Sequence, residues 1–213
     1  MCHKNFDGTP AAMEAEAAVK LWPRSTNHNF RYVTFVSDRD SSAYNAVCAL
    51  NDGRGPYDVP VQKEECINHV AKRLGTRLRK FKQGDFTVIT TRTGKKMKRS
   101  ALGGAKKLTN NVIQMLQRYY KKAISDNKNR SVESMRNAIM ASFYHACSSD
   151  KAPKLHNLCP KDINSWCFYQ RVLAPDETPR SHSVKPPYLS NIPSDKQEDI
   201  KRIYIDLTRT RAA

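Results

Sequence analysis

Arg31-Tyr-Val-Thr-Phe-Val36 is followed directly by Ser37-Asp38-Arg39-Asp40. The first six residues are rich in β-branched and aromatic side chains, which predicts a strand. Asp38 would then stand at the carboxyl end of that strand, where α/β sheets place their ligand-binding residues. A carboxylate at this edge is a candidate ligand for Mg²⁺. The alternative role for such a residue is to cap the helix that follows.

A cysteine and a histidine lie at the start of the next long amphipathic segment, as Cys66-Ile-Asn-His69. Residues three apart on a helix project from nearly the same face. The pair can therefore supply half of a zinc site or orient a catalytic carboxylate. The alternative is a half-buried cysteine beside a surface histidine.

Helical periodicity dominates the rest of the chain. It predicts helices over 10–22, 41–50, 65–82, 108–124 and 131–147, a short helix near 166–174, and a final helix from Ser194. Ser194 and Gln197 have the spacing of a capping box. Residues 58–63 predict one more short strand, at a sheet edge because it contains Pro60. The fold class predicted is α/β leaning to mostly α.

The charge of the chain favours a polyanionic partner. Lys and Arg number 37 against 20 Asp and Glu, a net charge of +17, and nucleic acid is the commonest partner of so basic a protein. No stretch has the roughly 18 apolar residues of a membrane-spanning helix. The segment 84–107 predicts a mobile basic loop or a weak hairpin. The candidate DNA contacts are Lys72, Arg73, Arg77, Lys95, Lys96, Lys98, Arg99, Lys106 and Lys107; the alternative for them is a solvated charged face.

A second metal candidate follows residue 144, where His145, Cys147, His156, Cys159 and Cys167 crowd together. His156 and Cys159 have metal-ligand spacing, and a tetrahedral zinc site built from these two and two of the others is chemically reasonable. We select Cys147 and Cys167 to complete it. The alternative is a packed turn that contains cysteines and a tryptophan.

Several runs of residues, taken together and in this order, resemble one known family. They are Asn5–Glu14, Phe35–Ala46, Lys63–Arg73, Phe143–His145 and Ser165–Gln170. They resemble the Mutator-like transposase domain in its arthropod-type, transposon-derived form, over nearly the whole chain.

The resemblance implies an RNase H-like core, only partly retained, with a metal-binding triad of the DDE type and Mg²⁺ or Mn²⁺ as cofactor. Asp38 falls on the second catalytic aspartate, and Cys66 and His69 fall on the family's Cys-x2-His motif. Glu133 is our choice for the third acid, and an ordinary solvated glutamate is its alternative. The implied domains are a transposase domain over 1–173 with a basic, helical insertion at about 83–130, a proline-rich linker over 174–193, and a C-terminal helix and tail over 194–213.

The resemblance also implies a nuclear protein that binds the DNA of transposon ends and target, with a homo-oligomer as a further expectation. The family's first aspartate belongs to a hairpin that would precede residue 1. We therefore expect a fragment derived from a strand transferase and inactive alone, either a truncated product or an incomplete gene model. The alternative function is a non-catalytic DNA- or chromatin-binding module with a structural zinc site.

Overall fold

The structure is a computed structural model that describes residues 6–37, 41–104, 107–175, 177–179, 181–182 and 188–209. Contacts divide the chain into two compact units, Met1–His69 and Val70–Ala213. Helices account for 56% of the described residues, and the described strands form two small sheets. The prediction of an α/β chain that is mostly α is confirmed, whereas the RNase H-like core stays a prediction.

The first unit contains a short β-α-β arrangement. Its elements are α1 (Pro10–Arg24), a 3₁₀ turn (Ser25–His28), β1 (Thr34–Ser37), α2 (Ser42–Cys48), the four-residue α3 (Leu50–Gly53) and β2 (Gln62–Glu65). Strands β1 and β2 are parallel, with Thr34 opposite Gln62 and Ser37 opposite Glu65. Strand β2 lies later than the predicted 58–63 because Pro60 has no N–H to donate to a sheet.

Capping and aromatic packing hold this unit together. Thr9 caps α1 by accepting a hydrogen bond from the N–H of Ala12 at 3.2 Å, as its position before Pro10 predicts. The ring of Trp22 stacks on Phe35 of β1, with centroids 4.5 Å apart. Burial of these side chains fixes which face of the strand points inward.

The remaining elements are α4 (Ile67–Gly84), the antiparallel hairpin β3 (Thr87–Thr90) and β4 (Lys96–Arg99), α5 (Asn110–Asn127), α6 (Val132–Cys147), a 3₁₀ turn (Pro153–His156), α7 (Phe168–Leu173) and α8 (Ser194–Thr208). The core of the second unit comes from α4, α5, α6 and α8. Leu74, Leu116 and Phe143 are buried there, and Tyr204 lies edge-on to Tyr120 at 5.5 Å.

The start of α8 differs from the capping-box prediction, which was wrong. The helix begins at Ser194 with Pro193 in the capping position, and no side chain caps it. The side chain of Gln197 instead donates to the carbonyls of Leu189 at 2.9 Å and Ile192 at 3.0 Å. Leu189 and Ile192 are buried in the core although they belong to the segment predicted as a linker. The predicted domain limits at residues 173 and 193 stay a prediction.

Asp85 joins the hairpin to α8. Its carboxylate lies 2.7 Å from the ammonium of Lys196 and accepts hydrogen bonds from the Ser100 hydroxyl at 3.0 Å and the Leu102 N–H at 3.1 Å. The side chain is only 8% exposed. Burial raises the pKa of Asp85, but the three donors lower it by more, so that its pKa lies below the usual value.

Replacing Asp85 by Asn is expected to lower the free energy of unfolding by about 2 kcal/mol at neutral pH, because hydrogen bonds to a charged group are lost. The native pKa is depressed, so this stabilisation is present above the unfolded pKa, near 4, and disappears as the pH falls through the native pKa. Urea unfolding of both proteins between pH 7 and pH 3 should therefore show the difference shrinking toward acid. A difference that is constant with pH would show that the carboxylate's charge does not matter.

Candidate metal centre and basic hairpin

Four potential metal ligands converge in the second unit. They are His145, His156, Cys159 and Cys167, and their donor atoms all lie within 4.8 Å of one another. The group lies at the carboxyl end of α6, and every member except His145 is buried.

Local backbone structure places each ligand. His145 lies in the last turn of α6, and His156 ends the 3₁₀ turn that follows. The N–H of Cys159 donates to the carbonyl of His156 at 3.0 Å, which folds Cys159 back beside that histidine. Cys167 is the N-cap residue of α7, and its sulfur accepts from the N–H of Gln170 at 3.5 Å.

The spacing of the donor atoms fits a small cation. The Sγ of Cys167 lies 3.3 Å from Nδ1 of His156, and the Sγ of Cys159 lies 3.9 Å from Nδ1 of His145. Donor atoms around a tetrahedral zinc ion are about 3.3–3.8 Å apart, given zinc bonds of about 2.0–2.3 Å. Two nitrogens and two sulfurs are typical of Zn²⁺. Two thiolates would also neutralise its charge, which suits a buried site.

Electrostatics in the cluster favour one thiolate. A hydrogen bond from the Cys159 thiol lowers the pKa of Cys167, and burial opposes this shift. The same bond and burial raise the pKa of Cys159. Cys167 is therefore deprotonated first, and a thiolate is the form of cysteine that binds metal.

The run Ser165–Gln170 packs against the two histidines of the cluster. The ring of Tyr169 stacks on His156 with centroids 4.4 Å apart, and the ring of Trp166 lies edge-on to His145 at 5.0 Å. The side-chain amide of Gln170 donates to the carbonyl of His156 at 2.9 Å. This run therefore supplies both a ligand, Cys167, and the packing that orients the two histidines.

Two further residues, which the sequence did not indicate, extend the cluster: His182 contacts His156, and Asp150 contacts His182. Nε2 of His182 lies 3.0 Å from Nε2 of His156, and Nδ1 of His182 lies 2.6 Å from the carboxylate of Asp150. The N–H of His182 and the hydroxyl of Ser181 also donate to Asp150, and the three bonds lower the pKa of Asp150 to about 2. No spacing rule connects positions 150, 156 and 182.

Cys147, the residue selected from the sequence to complete the zinc site, is not part of the cluster. It is buried in the apolar core on the same stripe of α6 as Ile139 and Phe143. Burial raises its pKa to about 12. Residues two apart point to different sides of a helix, so His145 and Cys147 cannot both reach the cluster. His145 takes the fourth position.

A catalytic cysteine is the competing interpretation, because a nucleophilic cysteine needs a nearby histidine as base. Cys167 contacts His156, and His156 is connected through His182 to Asp150. Cys167 and His156 both have 0% exposure. A substrate cannot reach a sulfur atom that is fully enclosed. The buried pair therefore favours a metal ligand set over a nucleophile and base.

The structure describes one of the two predicted catalytic acids, Glu133, and the surroundings of the other, Asp38. Asp38 lies outside the described residues. Its neighbour Ser37 ends β1, and the Ser37 carbonyl accepts a hydrogen bond from the N–H of Cys66 at 3.2 Å. The Cys66–His69 motif, half-buried at the start of α4, therefore lies beside the carboxyl end of β1. Glu133 is exposed in the first turn of α6, where a carboxylate also stabilises the helix dipole.

Most of the predicted DNA contacts are exposed. Lys95, Lys96, Lys98 and Arg99 are solvent-exposed on the hairpin, and Lys72 and Arg77 are solvent-exposed on α4. Arg73 is half-buried. The Lys107 ammonium donates to the Ala101 carbonyl at 2.9 Å, so that it holds the loop. Lys106 lies outside the described residues.

The hairpin turn is specified locally. Thr91 and Lys95 pair across it, with the Thr91 N–H 2.9 Å from the Lys95 carbonyl, and Gly94 has a φ of +79°. Glycine adopts this left-handed conformation without the strain that a side chain would impose. Of the two sequence predictions for this segment, the hairpin is the correct one.

No described helix has the length and apolar composition required to cross a bilayer. No curated protein matches the chain. No solved structure matches it either. The family model for the Mutator-like transposase matches residues 1–167, a range that includes all four cluster residues and ends at Cys167. The chain therefore belongs to the Mutator-like transposase family.

Proposed function

We propose that this chain is a DNA-binding domain derived from a metal-dependent DDE strand transferase, and that its basic hairpin contacts the duplex. The observation that carries the proposal is the charge of residues 86–100, which hold five cations and no acidic residue. The five, Arg92, Lys95, Lys96, Lys98 and Arg99, are all exposed.

The strand register divides the hairpin into two faces. Val88 lies opposite Lys98 and Thr90 opposite Lys96, so these four side chains share one face. The other face carries Ile89 opposite Met97, followed by Thr87 and Arg99. Both faces are open to solvent, although a two-stranded hairpin alone is only marginally stable in water. A ribbon of this width fits the major groove of DNA, where its cations would lie near phosphates.

Salt dependence tests this proposal. Because each neutralised phosphate releases counterions, the logarithm of the affinity for duplex DNA should fall linearly with the logarithm of salt, by about 0.9 per phosphate contact. Fluorescence anisotropy between low and moderate salt measures the slope. A slope near zero would refute phosphate binding.

The catalytic part of the proposal concerns Asp38, Glu133 and Mg²⁺ or Mn²⁺. Two-metal strand transfer needs several acids around a pair of cations, and the resemblance assigns two of them in these 213 residues. We therefore expect no metal-dependent nicking by these residues alone. Nicking that Asp38→Asn abolished would instead make the chain an enzyme. A nuclear location, and a homo-oligomer on transposon ends and target, belong to the same proposal.

A second candidate function is a non-catalytic DNA- or chromatin-binding module organised by a structural zinc ion. The converging donors of His145, His156, Cys159 and Cys167 favour it. A structural site has four protein ligands and no open position. Co²⁺ in this site should give an intense tetrahedral spectrum with thiolate charge-transfer bands. A pale octahedral spectrum would exclude the proposed ligand set.

A further inference from the structure

We propose that Asp150 and His182 form the support of the metal centre, and that they select Nδ1 of His156 as the metal-binding atom. This inference rests on the proposed metal centre. It concerns two residues, one of which, His182, lies beyond the range that the family model matches.

The hydrogen bonds fix where each proton lies. The carboxylate of Asp150 can only accept, so Nδ1 of His182, 2.6 Å away, carries a proton. In neutral His182 the other nitrogen, Nε2, is then an acceptor. Nε2 of His156 lies 3.0 Å from it and must donate.

The consequence appears on the far side of the His156 ring. With its proton on Nε2, neutral His156 has a free lone pair on Nδ1, and this atom lies 3.3 Å from the Cys167 sulfur. Asp150 thus acts on the metal ligand through two imidazoles. Metal-binding histidines commonly donate their second N–H to a carboxylate, a backbone carbonyl or water, and loss of such an acceptor costs about 10–100-fold in metal affinity. Here His182 takes the acceptor's place and connects His156 to the Asp150 carboxylate.

The backbone strengthens the arrangement. The N–H of His182 donates to the same Asp150 oxygen at 2.8 Å, and the Ser181 hydroxyl donates to the other. His182 is only 5% exposed, although it lies within the proline-rich segment 174–193. Asp150 therefore holds both the position and the tautomer of His182.

Variants of the purified chain test the inference by competition for Zn²⁺ against a chromophoric chelator. Asp150→Ala and His182→Phe should each weaken zinc binding by about 10–100-fold. Asp150→Asn keeps an oxygen that can accept from His182 and should restore most of the affinity. Asp162→Ala is the matched control, because the Asp162 side chain is exposed and accepts a hydrogen bond from the nearby Asn164 N–H at 2.9 Å, away from the two histidines; it should bind zinc as the wild type does.

Long-range ¹H–¹⁵N NMR supplies a reading that altered stability alone would not change. In the zinc-bound wild type, Nδ1 of His156 should show the chemical shift of a metal-bound nitrogen and Nε2 that of a protonated one. Binding through Nε2 would overturn the inference, as would folded Asp150→Ala and His182→Phe chains with wild-type affinity. If the wild type binds no metal, the proposed metal centre itself is refuted. If the wild type binds zinc and the Asp150 and His182 variants bind it equally well, only the supporting role of these two residues is refuted.

Discussion

Cys159→Ser is expected to abolish tight zinc binding and to lower the free energy of unfolding of the second unit by about 3 kcal/mol or more. Metal that binds only the folded state stabilises it by about 2.7 kcal/mol at a hundred times its dissociation constant. The loss should be concentrated between Ser148 and Cys167, because the described helices α5, α6 and α8 retain their own apolar core. Thermal unfolding and hydrogen exchange measure the two effects.

A strong chelator added to the wild type should reproduce this loss, and it should have no further effect on Cys159→Ser. Cys48→Ser is the control, since Cys48 is a half-buried cysteine of the first unit outside the cluster. Its response to the chelator should match that of the wild type. If chelation leaves the wild-type melting curve unchanged, zinc is not part of the fold.

Neutralising the hairpin is expected to have the second large effect. A variant with Arg92, Lys95, Lys96, Lys98 and Arg99 replaced by Gln removes five positive charges. If each cation neutralises one phosphate, the salt slope of DNA binding should fall in magnitude by about 4.5. All five residues are exposed, so the fold should tolerate the change.

The matched control removes the same charge elsewhere. Lys121, Lys122, Lys128, Arg130 and Lys151 are also exposed, and replacing them by Gln leaves the hairpin intact. This control should change the slope by less than about 1, because an effect of net charge alone is screened over about 10 Å at 0.1 M salt. Equal changes in the two variants would show that the duplex does not contact the hairpin in particular.

The helices were predictable from the sequence because their signals are local. Apolar stripes predicted α4, α5 and α6, and Thr9 and Ser131 stand at helix starts, where their side chains accept hydrogen bonds from the first turn. The failure at Ser194 is also instructive. Gln197, three residues later, bonds to carbonyls of the preceding segment rather than to a cap, and only the tertiary structure determines that choice.

The metal candidate was predictable only in part. His156, Cys159 and Cys167 were identified from their residue types and spacing. Choosing His145 over Cys147 required knowing which side of α6 faces the core. The sequence held this information, because Ile139, Phe143 and Cys147 follow one another at four-residue spacing and therefore share the apolar face. Asp150 and His182 had no such signal, since residues 32 apart meet only through the path of the chain between them.

The metal content of the purified chain tests the central claim, that His145, His156, Cys159 and Cys167 bind one zinc ion. Elemental analysis and native mass spectrometry should find one zinc per chain, lost in His145→Ala and retained in Cys147→Ser. A wild type without metal, with Cys159 and Cys167 joined as a disulfide, would contradict the claim. So would a site that survives His145→Ala and disappears in Cys147→Ser.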